Sequence, residues 1–217
     1  MIYLILTATI TPIKQIWGPE EKDARKARYQ RCISDTLNHI SASNLIKPII
    51  VVNDLGVTNS YFDNLRCDVV YASNNNGRYH NKGINELTSI KSVITKYDIK
   101  DDDMIIKQTG RYCPCSSSFY DIVTEKTRHY DAIAKFYNVC TYQFDDNDCI
   151  LGLIALKCKY WRGFEYSHDH NGFDGPSPEV EMARYIRENV ETNKILSLET
   201  LNMEFAFAND PNNLRYF

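Results

Sequence analysis

The sequence predicts an α/β fold, a single domain built on a mixed, mostly parallel sheet flanked by helices. Three observations predict it. Strand-sized apolar runs recur at residues 3–8, 49–52, 69–71 and 104–106. Helix-patterned stretches lie between them, and that alternation is the signature of βαβ units in a parallel sheet. Each run ends in polar, turn-forming residues, and open α/β sheets bind ligands outside the carboxyl ends of their strands.

Residues 3–8 form the first strand, with Thr7, Thr9 and Thr11 at its carboxyl end. After a loop bounded by Pro12 and Pro19, residues 20–41 read as a helix with Tyr29, Cys32 or Ile33, Leu37 and Ile40 inward. Arg25, Lys26, Arg28 and Arg31 line it as a solvated basic face, except that Arg28, beside the inward Tyr29, is placed to meet a ligand phosphate or base. The second strand, 49–52, ends in Asn53 and Asp54, and the third, 69–71, runs into an Asn- and Gly-rich stretch at 74–83. That stretch holds Arg78, His80 and Lys82 just before a helix, and exposed N–H groups beside cations make a phosphate site; an ordinary capped loop is the alternative.

In the helix that follows, Ile84, Leu87, Ile90, Ile94 and Tyr97 fall on one face. Residues 104–106 are apolar, as in a strand covered on both sides, and deliver Lys107, Gln108, Thr109, Gly110 and Arg111, the expected centre of the site. Beyond it, Ser116 or Ser117 caps a helix to about residue 126. Strands follow at 132–137, 139–144 and 150–156, with 141–144 and 150–156 as a hairpin. Residues 157–175 read as a long aromatic and charged loop, of the kind that is usually functional. Pro178 opens a helix to about residue 191 with Glu179 in its first turn. A short strand at 195–198 and a polar tail complete the chain, with no internal repeat and no linker.

Composition narrows the classes. A net charge of −3 with both signs interspersed speaks against a nucleic-acid binder. No apolar stretch approaches the ~18–20 residues of a membrane span. The start, MIYLILTATI, lacks a basic leader and reads as a strand rather than a signal peptide. The seven cysteines show no zinc spacing and are expected as free thiols in a reducing compartment, hence a cytoplasmic protein.

The order of elements resembles the GT-A (Rossmann-like) fold of nucleotide-sugar glycosyltransferases. Asn81-Lys82-Gly83, the helix and the buried strand look like the segment that precedes the metal-binding Asp-x-Asp of that superfamily. Pro178-Glu179-Val180-Glu181-Met182-Ala183-Arg184 looks like its later acidic helix, and IIKQTGRY, with Asn-Lys-Gly upstream, resembles glycosyltransferases of large DNA viruses and of some bacterial polysaccharide loci, most of all the small capsid-glycosylating enzymes of algal viruses. The resemblance implies transfer of a sugar, of hexosyl type, from a nucleoside-diphosphate sugar to a hydroxyl of a glycan or glycoprotein, with inversion, and in the host cytoplasm if the protein is viral. Residues 1–112 would be the nucleotide-sugar-binding half and 113–217 the acceptor half.

The chain departs from that pattern where it matters most. Lys107 to Arg111 stand where the superfamily places Asp-x-Asp, so no metal site is expected there. Lys107 and Arg111 would neutralise the departing diphosphate directly, helped by Arg78 and Lys82. The alternatives are that both are structural, paired with acids such as Asp103 or Asp121, or that other carboxylates recruit Mn²⁺ or Mg²⁺. Thr9, Thr11, Arg28 and Asn53 are the candidates for holding the nucleotide. Glu179 is the candidate base, with Asp174 and Asp169 next, although an acid in a helix's first turn also suits the dipole. Trp161, Phe164, Tyr166 and Phe173 are read either as sugar-stacking or as core. The rival functions are a sugar nucleotidyltransferase, whose Gly-rich loop would have to be residues 11–18 with one glycine, and a non-catalytic nucleotide-sugar-binding domain of a larger multidomain chain.

Overall fold

The computed structural model describes residues 1–11, 22–41, 43–75, 82–136, 147–167, 176–207 and 210–216. In chain order the elements are β1 (Ile2–Ala8), α1 (Lys22–Ile40), β2 (Ile46–Asp54), a short 3-10 helix (Tyr61–Asn64), β3 (Asp68–Asn75), α2 (Lys82–Lys96), β4 (Met104–Thr109) and β5 (Cys113–Pro114). They continue with α3 (Ser118–Lys126), β6 (Ala132–Ala134), β7 (Leu153–Lys157), α4 (Cys158–Gly163), α5 (Pro178–Asn189), β8 (Ile195–Ser197), β9 (Met203–Phe207) and β10 (Asp210–Tyr216).

Seven strands form one sheet in the order β3-β2-β1-β4-β7-β6-β8. The pairs β1/β2, β2/β3, β1/β4 and β6/β8 are parallel, and β7 runs antiparallel to both its neighbours. The chain travels outward from β1 to β3 and then returns across β1 to place β4 on the other side. This reversal between β1 and β4 is a topological switch point, the crevice where such sheets hold ligands. The register puts Thr7 of β1 level with Thr109 of β4 at that crevice.

The pleat divides the core in two. Tyr3 and Ile5 of β1 and Ile105 of β4 face Leu87, Ile90, Val93 and Ile94 of α2 and Met182, Ala183 and Ile186 of α5. Leu4 and Leu6 of β1 and Ile106 of β4 face Tyr29, Ile33 and Ile40 of α1 and Phe119, Tyr120 and Val123 of α3. Successive strand residues point to opposite faces, so the polar residues that end each strand are also dealt alternately to two different environments.

Several sequence expectations are revised. The strand expected at 150–156 is the shorter β7, and it pairs with β4 and β6; its expected partner at 141–144 lies outside the described residues. The stretch read as a loop from residue 157 begins instead with α4, which seats Trp161 in the core. The tail read as polar carries β9 and β10, which join β5 in a second, antiparallel sheet. Met203 and Phe205 are buried while Glu204 between them is less so, a strand alternation visible in the sequence that the polar surroundings obscured.

The expectation of free thiols fails for one pair. Cys32 of α1 and Cys113 of β5 are joined in a disulfide, Cα to Cα 4.3 Å, across 81 residues of sequence. Both sit in the interior, because α1 turns Cys32 inward onto the chain leaving β4. Cys67, Cys115, Cys149 and Cys158 are free. A structural disulfide is foreign to a reducing compartment, which removes the ground for expecting one. No described helix is long and apolar enough to cross a membrane. Because the bond closes a long loop, reduction or Cys113→Ser should lower the unfolding free energy by about 2–4 kcal/mol, measured by denaturant titration with and without a dithiol.

Candidate functional site

The carboxyl end of β1 is clamped from three sides. Thr9 donates its amide to the Tyr29 hydroxyl (3.1 Å), its carbonyl accepts from Arg25 Nε (2.9 Å), and its hydroxyl donates to Asn53 Oδ1 (2.6 Å). The next two amides, of Ile10 and Thr11, donate to the two oxygens of Asp54 (2.6 and 2.7 Å). Burial raises the pKa of Asp54, while those amides and Arg25 pull it down. Thr9 and Asn53, both expected to hold nucleotide, therefore do meet, and they bond to each other. Arg25, expected on a solvated face, is buried: it lies one turn before Tyr29, on the same side of α1. Arg28 is half-buried on α1, Thr11 is exposed, and Lys82 is exposed at the start of α2. Arg78, Asp169, Asp174 and Phe173 lie outside the described residues.

At the end of β4 the Lys-Gln-Thr-Gly-Arg run does not form one surface. Gln108 points to the α1/α3 face, where its amide donates to Thr36 Oγ1 (2.8 Å) and the Tyr112 carbonyl (3.0 Å) and its oxygen accepts from the Tyr120 hydroxyl (2.7 Å). Gly110 donates its amide to the Thr7 carbonyl (2.9 Å), and a Cβ there would lie 3.0 Å from that same oxygen, a tight contact that glycine avoids where β1 and β4 come together. Arg111, half-buried, follows in the turn in which the Tyr112 amide donates to the Thr109 carbonyl (2.9 Å).

Lys107 points to the opposite, α2 face and is only 2 % exposed. Its ammonium donates to the Leu151 carbonyl (2.7 Å) and Thr109 Oγ1 (3.0 Å) and pairs with Glu86 Oε2 (2.9 Å). An ammonium has three protons, so Lys107 has none left for a diphosphate, and its acid is Glu86 rather than Asp103 or Asp121. The other oxygen of Glu86 accepts from the Thr7 hydroxyl and lies 3.5 Å from Thr109 Oγ1. Glu86 is thus a site residue that the sequence reading missed. The available signal was Lys107 itself: a lysine following three apolar residues of a buried strand demands an acid partner.

A strap at residues 164–167 closes this side. Lys91 of α2 donates to the Phe164 carbonyl (2.8 Å) and pairs with Glu165, and Ser167 donates its amide (2.9 Å) and hydroxyl (2.7 Å) to Glu181 of α5. Tyr166, on the strap, packs edge-on to Phe164. Burial holds its phenol well above the ordinary tyrosine range, reinforced by the carboxylates of Glu86 and Glu179, the Cys149 thiol and Glu181. Met182, Ala183 and Ile186 of α5 pack in the same core as Leu87 and Ile90 of α2, so α5 carries the candidate base on the side of the sheet that bears the Lys107–Glu86 pair. Glu179 is half-buried in the first turn of α5, behind the Ser177 cap, and the buried Cys149 thiol donates to its carbonyl (3.5 Å). Trp161 and Phe164 are core, and Tyr166 keeps part of its surface. Among the described residues no three His, Cys, Asp or Glu side chains are placed to share a metal ion.

No family model matches the chain, and no curated protein is similar to it in sequence. Solved structures match it in fold. A protein described as a nucleotide-diphospho-sugar transferase from Desulfovibrio desulfuricans G20 superposes with a TM-score of 0.53 at 12 % identity, over 91 % of this chain and 79 % of that one. The bifunctional IspDF of Campylobacter jejuni gives 0.52 at 10 % identity, over 91 % of this chain and 49 % of that one. The shared feature is the fold. It is the mixed α/β architecture of the nucleotide-diphospho-sugar transferases, as the sequence resemblance implied. Neither structure bears on a viral origin or a capsid substrate.

Glu86→Ala leaves Lys107 charged, buried and unpaired, and should lower the unfolding free energy by roughly 3 kcal/mol. Replacing both charges, Glu86→Leu with Lys107→Met, should recover most of that loss. Urea titration of the two variants against the parent chain checks both.

Proposed function

We propose that the chain is a glycosyltransferase that moves a sugar from a nucleoside-diphosphate sugar to a hydroxyl of a glycan or glycoprotein. The observation that carries this reading is the switch point between β1 and β4, in a fold shared with a nucleotide-diphospho-sugar transferase, with α5, whose first turn holds Glu179, packed on the face that bears the Lys107–Glu86 pair. The nucleoside lies over the ends of β1 and β2, on the segment that Asn53, Asp54, Arg25 and Tyr29 hold in place. Arg111, Lys82 and Arg78 neutralise the diphosphate as the bond from the sugar's anomeric carbon to phosphate oxygen breaks and its electron pair leaves with the nucleotide. Glu179 takes the proton of the acceptor hydroxyl as that oxygen forms the new bond, which inverts the anomeric centre.

With Arg111 and Lys82 as the cations for the diphosphate and no aspartate pair at the end of β4, this donor site needs no Asp-x-Asp metal. Nucleoside diphosphate should therefore raise the melting temperature, by a stabilisation of about 2.7 kcal/mol at a hundredfold excess over Kd, and should do so in EDTA. Binding that is absent in EDTA and restored by Mn²⁺ would contradict the metal-independent site. Glu179→Gln should keep donor binding and slow transfer by at least ~10²-fold. Release of nucleoside diphosphate from sugar nucleotides supports glycosyl transfer. Release of pyrophosphate from a nucleoside triphosphate with a sugar phosphate would replace this reading with nucleotidyl transfer.

A further inference from the structure

At the ends of β1 and β4 almost every polar group is spent on the protein itself. Thr7, Thr9, Asn53, Asp54, Lys107 and Gln108 all bond to neighbours in the fold. Glu86 is different. Its carboxylate is 21 % exposed where its partner Lys107 is 2 % exposed, and it lies against Thr7 and Thr109 at the ends of β1 and β4, so it is the open end of the ion pair at the crevice. An ionised carboxylate offers about four acceptor positions. Lys107 takes one, the Thr7 hydroxyl takes a second, and Thr109 stands at the long distance of 3.5 Å. Thr7 comes from β1, Lys107 and Thr109 from β4 and Glu86 itself from α2, and each is held by a rigid element, so the carboxylate is aimed before any ligand arrives.

We propose that Glu86 is a specificity-determining residue that accepts hydrogen bonds from the hydroxyls of the transferred sugar. This rests on the glycosyltransferase reading and extends it to the chemical class of the sugar. The position fits that part of the donor. With the nucleoside over the ends of β2 and β1, an extended sugar nucleotide reaches toward β4, where Glu86 spans Thr7 and Thr109. The chemistry fits it too. An acceptor-only carboxylate binds O–H groups and repels a phosphate, so it reads the sugar and not the diphosphate. It also repels a carboxylate on the sugar. The donor class is therefore a neutral, polyhydroxylated sugar, and acidic sugars such as uronates are disfavoured. Lys107 is the positioning residue of the arrangement. Its ammonium anchors one oxygen of Glu86.

The test compares the affinity of the intact chain for a nucleoside diphosphate with that for the same nucleotide carrying a neutral hexose or a uronate. Titration calorimetry reads these affinities, with the base chosen from UDP, GDP, CDP and dTDP by thermal shift. The parent chain should bind the neutral sugar nucleotide more tightly than the bare nucleotide, and the uronate more weakly than the neutral sugar. In Glu86→Leu/Lys107→Met, where no buried charge is left unpaired, affinity for the bare nucleotide should stay within about twofold. The preference for the neutral sugar should fall about tenfold or more, the size of one charge-assisted contact. A merely structural role would leave the preference intact. If the double variant fails to fold, Glu86→Asp keeps the charge, withdraws it by one methylene, and should show the same loss of preference. A folded variant with the parent's preference, or a parent that binds uronate and neutral sugar alike, overturns the assignment while leaving nucleotide binding standing. A parent chain that binds none of the four nucleotides overturns the glycosyltransferase reading and this assignment together.

Discussion

A lysine ammonium buried at the end of the central strand sets the conditions for everything around it. Desolvating that charge costs several kcal/mol unless it is paired and fully hydrogen-bonded. Lys107 meets the condition with partners from three places: Glu86 on α2, Thr109 on its own strand and the Leu151 carbonyl just before β7. Satisfying one charge therefore ties a helix and two strands together at the crevice. Glu86 in turn draws in Thr7 from β1. The first turns of α2, which carry Lys82, are held against the strand ends by this pair.

The same crevice is held on its other flank by neutral and backbone contacts. Thr9, Ile10 and Thr11 leave β1 under the control of Asn53, Asp54, Arg25 and Tyr29. On the far face Gln108 binds α1, α3 and the chain beyond Gly110 through three hydrogen bonds, and the Cys32–Cys113 bridge fastens the same segment to α1. Polar groups on both sides of the sheet are thus fixed in place by the fold itself, before any ligand arrives. On the α2 side, Glu181 of α5 holds the strap through Ser167.

Sequence periodicity by itself determined the alternation of strands and helices, the order of the first four strands, the turns at which they end and the Pro-Glu start of α5. These are local properties: side-chain period, turn chemistry and capping act within a few residues of one another. It also placed Thr9 and Asn53 at neighbouring strand ends, where the structure joins them by a hydrogen bond. Only the tertiary structure decided which atoms were already committed. Lys107 and Arg25 look alike as cations in a sequence, yet one is neutralised by a helix twenty-one positions upstream and the other is drawn inside by a tyrosine hydroxyl and a backbone carbonyl. The disulfide between Cys32 and Cys113 and the docking of β9 on β5 join segments 80 or more residues apart, and no local pattern encodes such a meeting. The strand pleat deals neighbouring residues to opposite faces, so a run that reads as one polar cluster becomes two environments once helices cover both sides. Which of its charges remains open to a ligand is set by what those helices bring.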